Sequence, residues 1–492
     1  MTCRERDTAA CLLAVALSLS AASARANGRY PAASALAFVP GGTAAANGHP
    51  AVMALRTTFG LVSTIDGGNT WVLTCEPAIG FSTEWDAPLA FTAGGAALMG
   101  IPGGLVLAPP RYCDFQRPAM APEEAVLDVT VDARGRRVVA AAVSKGIAVS
   151  DDDGVTWRRG WANEKFLVST IDVAPGHPDR IYATGYLDST AVLLRSDDGA
   201  ATFTEVTREL LGGLAGYIAA VDPADPDLLY LRIDLREGGT VLARSVDGGR
   251  TLKELVRTTN PMTGVALSDD GRSLWAGSAG ASAGDGIFRS TDAGATWQKV
   301  NGTITPLCLR HRSGRLYLCA DDRRDGFAFG FSSDGGEHFQ PLLSWKDLTG
   351  PEGCPAGSPG RSLCEADWPL LRATLAPDGG AADATVGDAA LDAASDGAAP
   401  APPDAADATT EPKKAGDGCS CSATPSSTSG GFLWAALLAA FICNKRRRLS
   451  PIRSEGEAHE AARILRSRPD APRRLLRWPQ LWAGSSRRAG RR

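Results

Sequence analysis

Six aspartates in this 492-residue chain occupy the same place in one short template, Ser/Thr-x-Asp-x-Gly-x-Thr-Trp. They are Asp66, Asp152, Asp198, Asp247, Asp292 and Asp334, in segments beginning at Thr64 (TIDGGNTW), Ser150 (SDDDGVTW), Ser196 (SDDGAATF), Ser245 (SVDGGRTL), Ser290 (STDAGATW) and Ser332 (SSDGGEHF). A carboxylate can serve as general acid or base, as nucleophile, or as a ligand for a hard cation. Equivalent copies spread through a chain cannot converge on one substrate, so the expected role is local. Each aspartate accepts hydrogen bonds from the backbone of its own turn. The glycine two residues on (Gly68, Gly154, Gly249, Gly294, Gly336) takes a positive φ without a Cβ clash. The third copy carries Ala200 there, which predicts a different turn. The closing aromatic (Trp71, Trp157 and Trp297, with Phe203 and Phe339) buries its ring between sheets.

The other residues with chemical potential are few. Among non-repeated acids, Glu84 and Asp86 flank Trp85, and Asp234 and Glu237 stand beside Arg232 and Arg236; solvated loops account for both groups. There are only 5 histidines, and no P-loop, GxSxG, HExxH or dinucleotide fingerprint occurs in a supporting context. The expectation is therefore no catalytic residue, no metal site and no cofactor. Cys75, Cys113, Cys308, Cys319, Cys354 and Cys364 form an even set outside any CxxC, which favours disulfides. Cys75 and Cys113 hold similar places in neighbouring repeats, which predicts a Cys75–Cys113 bridge. Cys308 and Cys319 flank a turn, and Cys354 and Cys364 close a Gly/Pro-rich loop; each is expected to pair.

The elements that carry these residues follow from the spacing. Successive templates start 86, 46, 49, 45 and 42 residues apart. The double gap predicts a degenerate copy near residue 107, where Gly104, Leu105 and Val106 resemble Gly60, Leu61 and Val62, and Phe115 stands where Trp71 does. Seven units of some forty residues, each a run of short apolar strands broken by turn residues, predict an all-β, seven-bladed propeller.

The repeated segment resembles the box of the Asp-box (BNR) β-propeller proteins, a group that includes sialidases, sortilin-like receptors, xyloglucanases and photosystem assembly factors. The resemblance covers roughly residues 30–345 and implies a hairpin between the outer strands of each blade. It specifies fold better than function. The Arg-Ile-Pro segment of sialidases is absent, since Thr57 and Thr58 follow Arg56.

The two ends address the chain. Arg4 and Arg6, an apolar stretch over 11–22 and an Ala24-Arg25-Ala26 site read as a secretory signal peptide over 1–26. The propeller is expected over 27–375, followed by an Ala/Asp/Pro-rich linker over 376–418 that lacks the apolar residues to fold. Residues 419–448 hold Cys419 and Cys421, an apolar helix-forming stretch and a basic cluster; an Arg-rich tail runs over 449–492. This triple pattern resembles the MYXO-CTERM sorting signal. It implies a sorting protease acting near Cys419 or Cys421, membrane attachment through the tail and display at the outer surface; a plain transmembrane anchor is the alternative. Residues 445–492 carry 15 Lys/Arg against 4 Asp/Glu, so the rest of a chain of net charge −4 is strongly acidic. That balance argues against nucleic acid as a partner. The functional expectation is an exported binding or scaffold module whose partner is an envelope protein or glycan, with a secreted carbohydrate-active hydrolase as the alternative.

Overall fold

The computed structural model describes residues 29–375 apart from 144, 145 and 281; the signal peptide, linker, Cys419 and Cys421 motif and basic tail lie outside the described residues. Seven antiparallel sheets follow one another along the chain, six of four strands and one of three, each built from consecutive strands. This is the expected seven-bladed β-propeller, running from Ala33–Phe38 in blade 1 to Gln340–Leu343 in blade 7.

Sequence periodicity explains the stacking. The middle strands of the blades, such as Val138–Ala142 and Gly60–Thr64, are buried along their whole length because both faces meet a neighbouring sheet. Apolar side chains gather in seven clusters between sheets, one for each adjacent pair of blades, including the pair formed by blades 7 and 1.

The three-stranded sheet is blade 2, the degenerate copy: Leu89–Phe91, Ala97–Ile101 and Gly104–Ala108. Its fourth strand shrinks to a single bridge between Leu107 and Gln116, with reciprocal N–H to O bonds of 2.8 and 2.9 Å. Pro109 and Pro110, which lack backbone donors, follow at once and prevent a longer ladder. In place of a box turn the segment buries Tyr112, whose hydroxyl donates to Gly95 O at 3.0 Å.

Among the described residues no strand is exchanged between the first and last blades. The segment after blade 7 closes the ring instead, as a strap of short helical turns over 345–375. Trp345 meets Phe59 edge-on at 5.2 Å, and the Thr349 hydroxyl donates to Trp71 O at 2.6 Å. At Gly350, φ is +76° and a Cβ would fall 2.3 Å from Trp368, so only glycine fits. The strap then carries two bridges, Cys113–Cys354 and Cys75–Cys364, to blades 2 and 1. This corrects two expected pairings: Cys75 does not bond Cys113, and Cys354 does not bond Cys364. Similar positions in neighbouring repeats do bring the two segments together, with the Thr74 hydroxyl donating to Tyr112 O at 2.7 Å, but the segment after blade 7 supplies each cysteine with a different partner. Cys308–Cys319 forms as expected, across the first two strands of blade 7.

The strap bridges enclose sequence separations of 289 and 241 residues. Long closed loops restrict the unfolded chain most, so Cys364→Ser is expected to lower unfolding free energy by about 2–4 kcal/mol. Urea titration checks this. Peptide mapping without reductant should recover Cys75 joined to Cys364; a Cys75–Cys113 peptide would contradict the strap.

Candidate functional site

The box turns come first because they hold most of the repeated chemistry. In blade 3, Ser150 Oγ accepts from Gly154 N at 2.9 Å and donates to Asp152 Oδ1 at 2.8 Å. Asp152 also accepts from Thr156 N at 2.8 Å and from the Thr156 hydroxyl. The Trp157 indole closes the turn on Gly154 O at 2.9 Å. The Ser/Thr–Asp part of this network recurs at Asp66, Asp198, Asp247, Asp292 and Asp334, with His338 replacing the threonine in the last copy, and the indole bond recurs at Trp71 and Trp297. The expectation for Ala200 does not hold. It adopts φ +68°, its N–H reaches Ser196 Oγ at 3.0 Å, and its turn matches the others. The Ser–Asp network outweighs the left-handed penalty of about 1–2 kcal/mol for a residue with a Cβ.

These bonds hold the carboxylates in their ionised form. The Thr202 and Thr296 hydroxyls, then the same residues' N–H groups, lower Asp198 and Asp292 from an ordinary 3.8 to about 2; the Thr251 N–H leads the same shift at Asp247. A carboxylate whose folded pKa lies below its unfolded value stabilises the fold above the unfolded value and loses that contribution as pH falls through the folded one. Stability is therefore expected to drop between pH 3.8 and about 2, which acid titration of the melting temperature will read. Ser150→Ala strands a buried N–H and is expected to cost about 1–3 kcal/mol at neutral pH; differential scanning calorimetry measures it. Asp334, Glu337 and His338 lie close enough to share a cation, but all three are exposed and His338 Nδ1 already lies 2.7 Å from Asp334.

The ring axis is the second feature. The innermost strands of five blades line a cavity of about 250 Å³ that includes Ser34, Thr170, Tyr217, Arg232, Thr263 and Arg310. Five innermost strands break register with their neighbour, at Ala33/Ala35, Val126/Asp128, Val168/Thr170, Ile218/Ala220 and Met262/Gly264. An innermost strand is a sheet edge with unpaired backbone N–H groups, and in two blades the preceding blade satisfies one of them: Asp128 Oδ2 accepts from Ile171 N at 2.8 Å, and Thr170 Oγ1 from Ile218 N at 2.9 Å.

Charges of both signs face this axis. The Arg56 guanidinium grips Ser34 Oγ at 3.0 and 3.1 Å and donates to Asp86 O at 3.3 Å. Arg232 donates to Met262 O at 2.8 Å and lies 4.5 Å above the Tyr217 ring. Asp172 accepts from the Thr130 hydroxyl at 2.8 Å. Enclosure by protein is the main cause that raises Asp128 to about 7, with the Asp172 charge adding to it. Enclosure also raises Asp172. The folded protein thus favours neutral Asp128, a preference that costs stability as pH rises from 3.8 to about 7. Asp128→Asn is expected to melt higher than wild type at pH 8 and no higher at pH 4, by circular dichroism.

The acids singled out from sequence do not assemble. Asp86 pairs with Arg29 at 2.7 Å, and the Trp85 indole donates to Gly100 O at 2.9 Å. Asp234 accepts from Thr240 Oγ1 at 3.1 Å, Glu237 pairs with Arg257 at 3.1 Å, and Arg236 donates to Gly212 O at 3.2 Å. Only Arg232 reaches the axis. Asp128 and Asp172 were missed, although an acid inside an otherwise apolar inner strand, as in Val126–Val131, is a visible signal.

No family model matches the chain, and no curated relative matches it. Solved structures similar in backbone include the extracellular domain of a putative hybrid two-component system from B. thetaiotaomicron, at 13% identity and TM-score 0.43, covering 62% of this chain and 38% of that one. The chain thus spans well under half the length of that protein. A GH74 xyloglucanase from Xanthomonas campestris matches at 14% identity and TM-score 0.26, covering 63% and 72%. YCF48 bound to D1 peptide matches at 16% and TM-score 0.32, covering 44% and 67%. The class defined is a seven-bladed propeller, and its three disulfides are those of a protein that folds in an oxidising compartment.

Proposed function

We propose that the protein is an exported, non-catalytic binding or scaffold propeller of the Asp-box type, held at the cell envelope by its C-terminal tail. The observation that carries this reading is where the polar groups go. The box carboxylates are engaged in their own turns, Arg56 and Arg232 rest on backbone carbonyls and Ser34, and two bridges latch the ring. The chemistry is directed at holding one shape, as a rigid recognition platform requires. The partner class is an envelope protein or a glycan. The signal peptide over 1–26 exports the chain, the 376–418 linker spaces the propeller from the membrane, and the Cys419 and Cys421 motif directs processing.

The test is binding of the full chain to arrays of glycans and envelope proteins. Saturable binding without turnover, retained by Asp128→Asn, is expected. Fractionation from the native host tests the address: Cys419→Ser with Cys421→Ser should leave a larger, unprocessed form, whereas a mature protein still carrying residues 432–492 would exclude cleavage.

A second reading, a carbohydrate-active hydrolase, is favoured by one observation: Asp128, raised to about 7 beside Asp172, has the pKa of a general acid. Release of reducing ends from a polysaccharide by wild type but not by Asp128→Asn would replace the binding reading with this one.

A further inference from the structure

The junction between blades 6 and 7 differs from its equivalents. In blades 4, 5 and 6 an arginine on the third strand stands opposite an aromatic residue on the second: Arg195 opposite Tyr182, Arg244 opposite Tyr230, Arg289 opposite Trp275. The first two are engaged. Arg195 pairs with Asp197 of its own box at 2.9 Å and lies 3.9 Å from Asp227, in the turn of the next blade. Arg244 donates to Ala293 O, in the next blade's box, at 2.7 Å.

Arg289 has lost each of these partners. The counterpart of Asp197 is Thr291. The counterpart of the Asp227 turn is the tight Ser313-Gly314 hairpin, which carries no carboxylate. The counterpart of the Ala293 carbonyl is Gly335 O, already taken by the Trp275 indole at 2.8 Å. Among the described residues the Arg289 guanidinium therefore makes no hydrogen bond or ion pair, and its Nε is buried without a partner. It lies 5.6 Å from the centre of the Trp275 ring.

The shortened hairpin also leaves space. A groove of about 600 Å³ opens here, lined by Arg289, Trp275, His311 and the acids Asp269, Asp270 and Asp334. The His311 ring stacks on Trp275, at 5.3 Å between centroids and 9° between planes. Its side chain is only 10% exposed, and Nδ1 has no hydrogen-bond partner, with Asp269 Oδ2 3.7 Å away. The acids are partly engaged in capping: Asp269 accepts from Ser313 N at 3.0 Å and Asp270 from Arg272 N at 3.1 Å.

We propose that this groove is a ligand site for a small carboxylate that also bears hydroxyl or ammonium donors. The carboxylate takes the planar fork of Arg289, which matches it in geometry and charge. His311 Nδ1 supplies a further hydrogen bond. The acids around the groove accept from the ligand's donors and disfavour a dianion such as phosphate. Acidic sugars and free amino acids share this chemistry.

Isothermal titration of the full chain with D-glucuronate, glycine and neutral D-glucose tests the site. Binding of glucuronate alone assigns an acidic sugar, and binding of glycine alone assigns an amino acid; binding of both shows that the carboxylate suffices. Arg289→Gln should weaken binding at least about tenfold, the scale of one charge-assisted hydrogen bond. His311→Phe, which preserves the stack on Trp275, should weaken it several-fold and serves if Arg289→Gln fails to fold. The proposal is overturned if neither carboxylate binds wild type up to about 20 mM, roughly the weak end of useful affinities. It is equally overturned if glucose binds as well as glucuronate, or if folded variants bind like wild type.

Discussion

Seven sheets in a ring need seven interfaces, but consecutive sheets with no strand exchanged among the described residues have covalent continuity across only six. The interface between blades 7 and 1 must be held by other means, and much of the molecule's detail follows from that requirement. Its cluster unites Leu36, Leu55 and Trp71 of blade 1 with Tyr317, Phe329 and Leu343 of blade 7, and takes in Trp345, Leu348 and Trp368 from the strap. His49 adds a polar contact, with Nδ1 3.0 Å from the Tyr317 hydroxyl. The strap then ties covalently to blades 1 and 2. Burial alone is reversible on local opening; a bridge spanning most of the chain keeps the opened ring from separating.

A second constraint acts at each outer hairpin. Two consecutive left-handed residues, such as Gly248 at φ +70° and Gly249 at +90°, expose backbone N–H groups at a sharp turn. The Ser/Thr hydroxyl and Asp carboxylate satisfy them locally. The turn can then take a bond from the preceding blade, as when Arg244 donates to Ala293 O at 2.7 Å and the Trp275 indole to Gly335 O at 2.8 Å. Function has room where such a handover is incomplete, and Arg289 is the clearest case among the described residues.

The sequence made blade number and box position legible because both are periodic: strand spacing, Gly104–Ala108 in the degenerate copy and the Ser–Asp pairs all repeat. The disulfide pairing of the strap was not legible, because residues 345–375 belong to no repeat and their destination depends on closure of the ring in space. Asp128 and Asp172 do stand out as single acids in largely apolar strands, but that their strands lie side by side at the ring axis depends on how blades 3 and 4 meet in space, which leaves no compositional mark. Ala200 shows the opposite case, in which a local conformational preference yields to the hydrogen bonds around it.

The claim on which the account rests is that the strap, not strand exchange, closes the ring. Hydrogen–deuterium exchange on the oxidised and reduced full chain tests it directly. Reduction should raise exchange first in Ala33–Phe38 and Met53–Thr57 of blade 1 and in Phe329–Ser332 of blade 7, while Leu229–Asp234 in blade 5 stays protected. Uniform loss of protection around the ring, or a first opening in blade 5, would contradict it.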